Sequence, residues 1–340
     1  MDPNSAAEVA TLTTNTSYPY LGSDPTEYTY PVYYTTPSTP SVPVYVNGLY
    51  SNVTSQSSMT RGGDGTEISL PIPMSVQPAD GSDSQIIVQD LSTGDEWGFW
   101  EFVNGQDTVA GGAAAGASSF TITPSANSDG SAYADYWVGQ TVTVGYGSAD
   151  AEQATIASFP GNGNTIDFTA PLKNAHPAGD VVFGMSATNG YHYNDNWSGI
   201  PPSGFGSRGG GVPYLAGLVR PCEIAQGQID HALAFAYQNT TSQFVSPATK
   251  SDGSSSSGMP EGAHLQLNPS ISNATIESWG CTGACFDAAK ALQTYGMYLI
   301  DSSSHPKVMF EDDSTANWGN TVSASTTNPI PLSDFRVIDG

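Results

Sequence analysis

Positive charge is what this chain has least of. Its 340 residues hold 8 Lys and Arg against 32 Asp and Glu, a formal charge of −24. Nucleic acid and anionic membrane surfaces are therefore poor partners, since both are held by Lys and Arg. Charge of either sign is scarce, at 12% of residues, which is unlike the surface of a typical cytosolic protein. No apolar run approaches the roughly 20 residues of a membrane span. A Gly-x-Ser-x-Gly elbow and the α/β alternation that carries it are both missing, which disfavours a serine hydrolase. The five His are scattered and none makes a zinc or redox-metal pair. The glycines of 204–211 lack the Gly-Lys-Ser/Thr ending of a phosphate loop. There is no signal peptide, and Met1-Asp-Pro-Asn-Ser reads as a vector-derived start on a mature domain.

Cysteine is also sparse. Cys281-Thr-Gly-Ala-Cys285 has a small, flexible interior and can close as a local disulfide, leaving Cys222 single; Cys222 paired with either of the others is the alternative.

What is abundant is Gly (37), Pro (24) and Tyr (17), with much Ser and Thr, the composition of many turns between short strands. The fold class expected is mainly β: a jelly-roll-like β-sandwich with one C-terminal helix and an inserted small all-β module. Residues 1–40, with six tyrosines among Pro and Thr, read as an extended arm wrapped on a domain. Residues 41–105 and 184–340 form the split main domain, and 106–183 the insert. Val42–Tyr50, Glu67–Pro73 and Gln85–Asp90 read as strands. Glu96–Phe102 follows as a strand with Trp97 and Phe99 on one face and Gly98, Trp100 and Phe102 related to the other. Gly105–Gly116 reads as a linker and Ser186–Gly211 as a long, functional loop. Cys285–Tyr295 has helical spacing of Phe286, Ala289, Leu292 and Tyr295, and Met297–Asp301 follows as a strand.

The most informative run is 212–236. Arg220, Glu223, Asp230 and His231 stand there between apolar residues, and an Arg in such a setting needs a carboxylate partner. Pro221–Gln228 reads as a short helix with Gly227 at its end, and Ile229–Tyr237 as a half-buried strand. The cluster is either a polar staple locking a loop onto a sheet or an ionisable group beside a cleft. Glu311-Asp-Asp313 could hold a structural calcium, but lacks EF-hand spacing and reads as a solvated turn. No other cofactor is implied.

Two resemblances follow from these runs. Trp137-Val-Gly-Gln-Thr-Val-Thr-Val, Glu152-Gln-Ala-Thr-Ile and Thr169-Ala-Pro-Leu-Lys-Asn-Ala-His-Pro-Ala-Gly resemble a small all-β spacer module of secreted bacterial proteins. Pro213-Tyr-Leu-Ala-Gly-Leu-Val-Arg, Gly227-Gln-Ile-Asp-His-Ala-Leu, Pro247-Ala-Thr and Ala291-Leu-Gln-Thr-Tyr-Gly-Met resemble a group of exported bacterial proteins, over roughly 40–105 and 184–340. That resemblance suggests polysaccharide handling and transfers no catalytic residue.

The function expected is a secreted glycoside hydrolase acting on a polysaccharide, as a monomer. Aromatic faces suit sugar rings, and hydrolysis needs a carboxylate pair. Candidate carboxylates are Asp90, Glu96, Asp195, Glu223, Asp230 and Asp301. Glu223 or Asp301 is preferred as acid or base, with Asp90 beside them and His231 and Arg220 tuning. Trp97, Trp100, Tyr191, Tyr193, Asp195, Trp197 and Tyr214 are the expected sugar contacts. The alternative is a non-catalytic carbohydrate-binding, adhesion or structural cell-surface protein.

Overall fold

The computed structural model describes residues 5–14, 18–50, 57–125, 131–196 and 199–338. The elements run α1 (Ser5–Thr14), β1 (Val32–Thr35), β2 (Ser41–Tyr50), β3 (Ser57–Pro71), β4 (Ile86–Asp90), β5 (Asp95–Val109), β6 (Ser119–Thr123), α2 (Ala132–Asp135), β7 (Thr141–Val144), β8 (Glu152–Ser158), β9 (Thr165–Phe168) and β10 (Val181–Asn194). Then come α3 (Pro221–Gln226), β11 (Leu233–Tyr237), β12 (Thr240–Phe244), β13 (Met259–Glu261), β14 (His264–Leu267), α4 (Asn273–Ser278), α5 (Ala284–Thr294), β15 (Met297–Ser302), β16 (Lys307–Val308) and β17 (Phe335–Ile338). The chain is mainly β, as its turn-rich composition implies.

Two long strands organise the first half. β5 and β10 pair antiparallel without a break from Thr108↔Val181 to Ala187↔Phe102, and on to Asn194↔Asp95. Their inner ends complete a ring with β6, β9, β8 and β7, a closed six-strand barrel. Its strands alternate in burial, as in Ser119–Thr123, so Phe120, Ile122, Ile156, Ile166 and Phe168 fill the interior. The outer ends of β5 and β10 continue into an open sheet with β4, β1, β2 and β3. The expected sandwich gives way to this barrel-plus-sheet arrangement. The glycines and asparagines of 105–116 and 186–194 mislead. Gly105–Val109 lies in β5 and Ser186–Asn194 in β10, because the two strands pair with each other and, in part, with β6, β2 and β3, which takes up their backbone groups. Glu101 takes a positive φ of 50° without shifting the β5–β10 register, and Phe102 joins Phe99 in one core, the rings 5.8 Å apart.

The second half is a five-stranded sheet, β16-β11-β15-β14-β17, with β11 and β15 parallel. α5 covers one face through buried Ala288, Ala289 and Leu292. β11 is buried on both faces rather than half-buried. Leu233, Phe235 and Tyr237 join the α5 core, while Ala234 and Ala236 face a tyrosine cluster on the other side. The N-terminal arm opens with a helix where an extended chain was expected. Leu12 of α1 is fully buried in the α5 core, and Tyr237 Oη donates to the Thr11 carbonyl at 3.0 Å. Cys281 and Cys285 lie at disulfide geometry, Cα to Cα 5.1 Å, leaving Cys222 as an exposed thiol.

Candidate functional site

Where the two halves meet, a chain of aromatic rings forms. Tyr30 stacks on Tyr214 at 4.6 Å, and Tyr214 meets Tyr191 edge-on at 5.1 Å. Arg208, 2% exposed, lies 4.7 Å over the Tyr30 ring and donates to the carbonyls of Tyr214 and Ala216. Burial raises the pKa of all three phenols, so they stay neutral hydrogen-bond donors.

On one side of these rings is a cavity of about 390 Å³ bordered by Glu96, Asp195, Tyr193, Gln89, Arg220 and His231. Glu96, 1% exposed, is placed by β5. Its Oε1 accepts from the Tyr191 hydroxyl and from Leu215 N–H at 3.1 Å. The Tyr191 hydroxyl in turn accepts Tyr214 N–H at 2.6 Å. Burial pushes Glu96 up to about 7 against these bonds, helped by the charge of Asp195. Asp195 sits at the exposed mouth, just past β10, and accepts from Gln89 Nε2 at 2.7 Å. Its pKa is raised by partial burial, which the Gln89 bond only partly offsets.

Arg220, Glu223 and His231 form one linked group. Glu223 Oε1 faces His231 Nε2 at 2.9 Å and Arg220 Nη2 at 3.8 Å, and Oε2 accepts Arg220 N–H at 2.8 Å. Burial favours protonation of Glu223, but the His231 bond and the rest outweigh it and the pKa falls. Burial lowers His231, but Glu223 outweighs it and the pKa rises. α3 starts at Pro221 and closes on Gly227 in the left-handed region, φ 70°, as the sequence implies. Glu223 is thus held ionised and binds Arg220 and His231, both of which border the cavity.

Asp301 lies elsewhere, bordering a second cavity of about 390 Å³ with Tyr30, Asp83 and Lys307. Its Oδ1 accepts Gly209 N–H at 3.2 Å, and burial, then the charge of Asp252, pushes its pKa up to about 6. The register Leu233↔Met297 and Ala236↔Asp301 sets His231 before β11 and Asp301 at its far end. At about 3.3 Å per residue they stand roughly 16 Å apart. A glycosidase pair works at about 5–10 Å; Asp301 borders a different cavity from Arg220 and His231, the residues that Glu223 binds.

The remaining expectations divide. Asp90 is buried and locks the β4–β5 turn, accepting Ser92 N–H at 2.8 Å. Asp230 accepts from Gln228 Nε2 at 2.6 Å on the surface. Trp97 stacks on His192 at 5.2 Å over the sheet core, and Trp100 is half-buried beside Asn189; neither borders the Glu96 cavity. Tyr191 and Tyr214 are fully buried and offer no face to a ligand. Tyr193 borders the cavity. Trp197 lies outside the described residues. Glu311 accepts from Thr315 Oγ1 and Asp312 from Ser314 N–H, so both serve their turn. Among the described residues no three His, Cys, Asp or Glu are grouped to hold a metal. Sequence reading passed over Arg208, Tyr30 and Gln89. Arg208 sits in a Gly-rich run that reads as loop, and only its scarcity as a cation marked it.

No protein-family model matches this chain, and no curated protein matches it.

Proposed function

We propose that the chain is an exported polysaccharide-cleaving enzyme of the glycoside hydrolase class, with Glu96 as general acid and Asp195 as the second carboxylate. The observation that carries this reading is the unequal pair of carboxyl groups on one cavity. Glu96 is buried, with one oxygen held by Tyr191 and Leu215 and no partner for Oε2 among the described residues, while Asp195 stands at the wet mouth. Protonated Glu96 gives its proton to the leaving glycosidic oxygen. Asp195 then serves the opposite side, as base toward water or as nucleophile. Arg220 and His231, held by Glu223, supply hydrogen bonds to sugar hydroxyls, and Tyr193 an aromatic surface. The Cys281–Cys285 pair supports a location outside the cytoplasm.

The test is release of reducing ends from a panel of polysaccharides. Glu96→Gln and Asp195→Asn should each lower kcat by about a hundredfold or more, with folding intact by circular dichroism. Turnover that survives both substitutions rejects the assignment. Tyr18, Tyr28 and Tyr34, each above 40% exposed, favour a second reading as a carbohydrate-binding protein. Retention on an insoluble glycan with no product from the wild-type chain would select it.

A further inference from the structure

The cavity beside Asp301 takes no part in the chemistry above. Tyr30 borders it, and the stacked rings of Tyr30, Tyr214 and Tyr191 lead from it to Glu96. Its wall carries the carboxyl groups of Asp24, Asp83 and Asp301. One ammonium faces them: Lys307, 4% exposed and bound to the Tyr28 carbonyl at 2.8 Å. His305, the other basic group there, is kept neutral by burial and by Lys307.

A second feature is independent of that charge imbalance. Gln85 is 5% exposed, yet its side-chain amide makes no hydrogen bond among the described residues. Neither amide atom is sealed from solvent, and Gln85 borders this cavity. Its open amide atoms are therefore turned to the cavity, where a ligand can satisfy them.

We infer that this cavity is a binding site for a small polyhydroxylated ligand bearing a primary ammonium, an amino sugar in chemical class. The ammonium meets Asp83 and Asp301, and the amide of Gln85 pairs with a hydroxyl. The volume of about 390 Å³ takes one such ring. The inference stands apart from the glycosidase reading, because none of its residues borders the Glu96 cavity.

The experiment is titration calorimetry of the full chain with glucosamine and with glucose near neutral pH. Glucosamine should bind at least about tenfold tighter than glucose, the worth of one charged hydrogen bond. Asp83→Asn should abolish that preference, and Gln85→Ala should weaken both sugars. Glu277→Gln, which removes an exposed carboxylate on α4, should leave the preference intact and controls for the overall negative charge. Equal affinity for the two sugars, absence of glucosamine binding, or a preference that survives Asp83→Asn overturns the proposal. Loss of hydrolysis in Glu96→Gln with glucosamine binding unchanged would separate the two sites.

Discussion

Glu96 depends on a residue with no side chain. Gly98 lies opposite Tyr191 in the β5–β10 register, and a Cβ there would fall 2.1 Å from the Tyr191 ring. The ring cannot step aside, because Tyr214 and Phe205 pack on it at 5.1 and 5.2 Å. Gly98→Ala should therefore cost about 1–3 kcal/mol as overpacking, read as a lower melting temperature. It should also displace the hydroxyl that holds Glu96 and so lower kcat. The pH profile is the second consequence at this scale. Glu96 acts as an acid only when protonated, so kcat/KM should fall as pH rises through about 7. Asp195 must be ionised, and its raised pKa sets the acid limb. In Glu96→Gln the alkaline limb should disappear.

At the scale of elements, α5 and α3 carry separable predictions. Ala288 and Ala289 are fully buried where α5 lies on the sheet, so beside Leu292 that part of the contact is made by methyl groups. Ala289→Leu should destabilise by about 1–3 kcal/mol, measured by urea unfolding. Gly227 closes α3 at φ 70°, and a Cβ there would meet only Asp287 Oδ1, at 4.0 Å. Gly227→Ala should cost about 1 kcal/mol and loosen the Glu223 anchor. The expected readout is a raised KM with little change in kcat, since Arg220 and His231 hold substrate and do not transfer the proton.

For the whole molecule, buried acids decide the pH dependence of stability. Glu96 at about 7, Glu311 at about 7, Asp301 at about 6 and Glu261 at about 9 all lie above their unfolded values, chiefly through burial. Between unfolded and folded pKa the native chain binds more protons than the unfolded chain, so stability falls as pH rises through that window. His231, raised by Glu223, acts in the same direction, and His305, lowered by burial, opposes it. Asp95, Glu152 and Glu223 are lowered, so their contribution is lost only when pH drops below the ordinary carboxylate range. The melting temperature should therefore be highest near pH 5, declining toward pH 8 and below pH 4. A scan of melting temperature against pH checks this; a rise from pH 5 to 8 would contradict it.

Local patterns determined a good deal by themselves. Alternation in Ser119–Thr123 and Phe335–Ile338, the helical spacing of 285–295, and the Pro221 start and Gly227 stop of α3 follow from neighbours a few residues apart. The short spacing of Cys281 and Cys285 belongs with them. Tertiary structure decided the rest, because backbone pairing and burial depend on residues far along the chain. It turned Gly-rich 186–194 into a strand and closed the barrel between β5 and β10. It set His231 before β11 and Asp301 opposite the far end of that strand. It also brought Glu96 and Asp195, 99 positions apart in the chain, to one cavity. A carboxyl group's chemistry follows from the water it has lost, and that loss is a property of the packed molecule rather than of its neighbours in sequence.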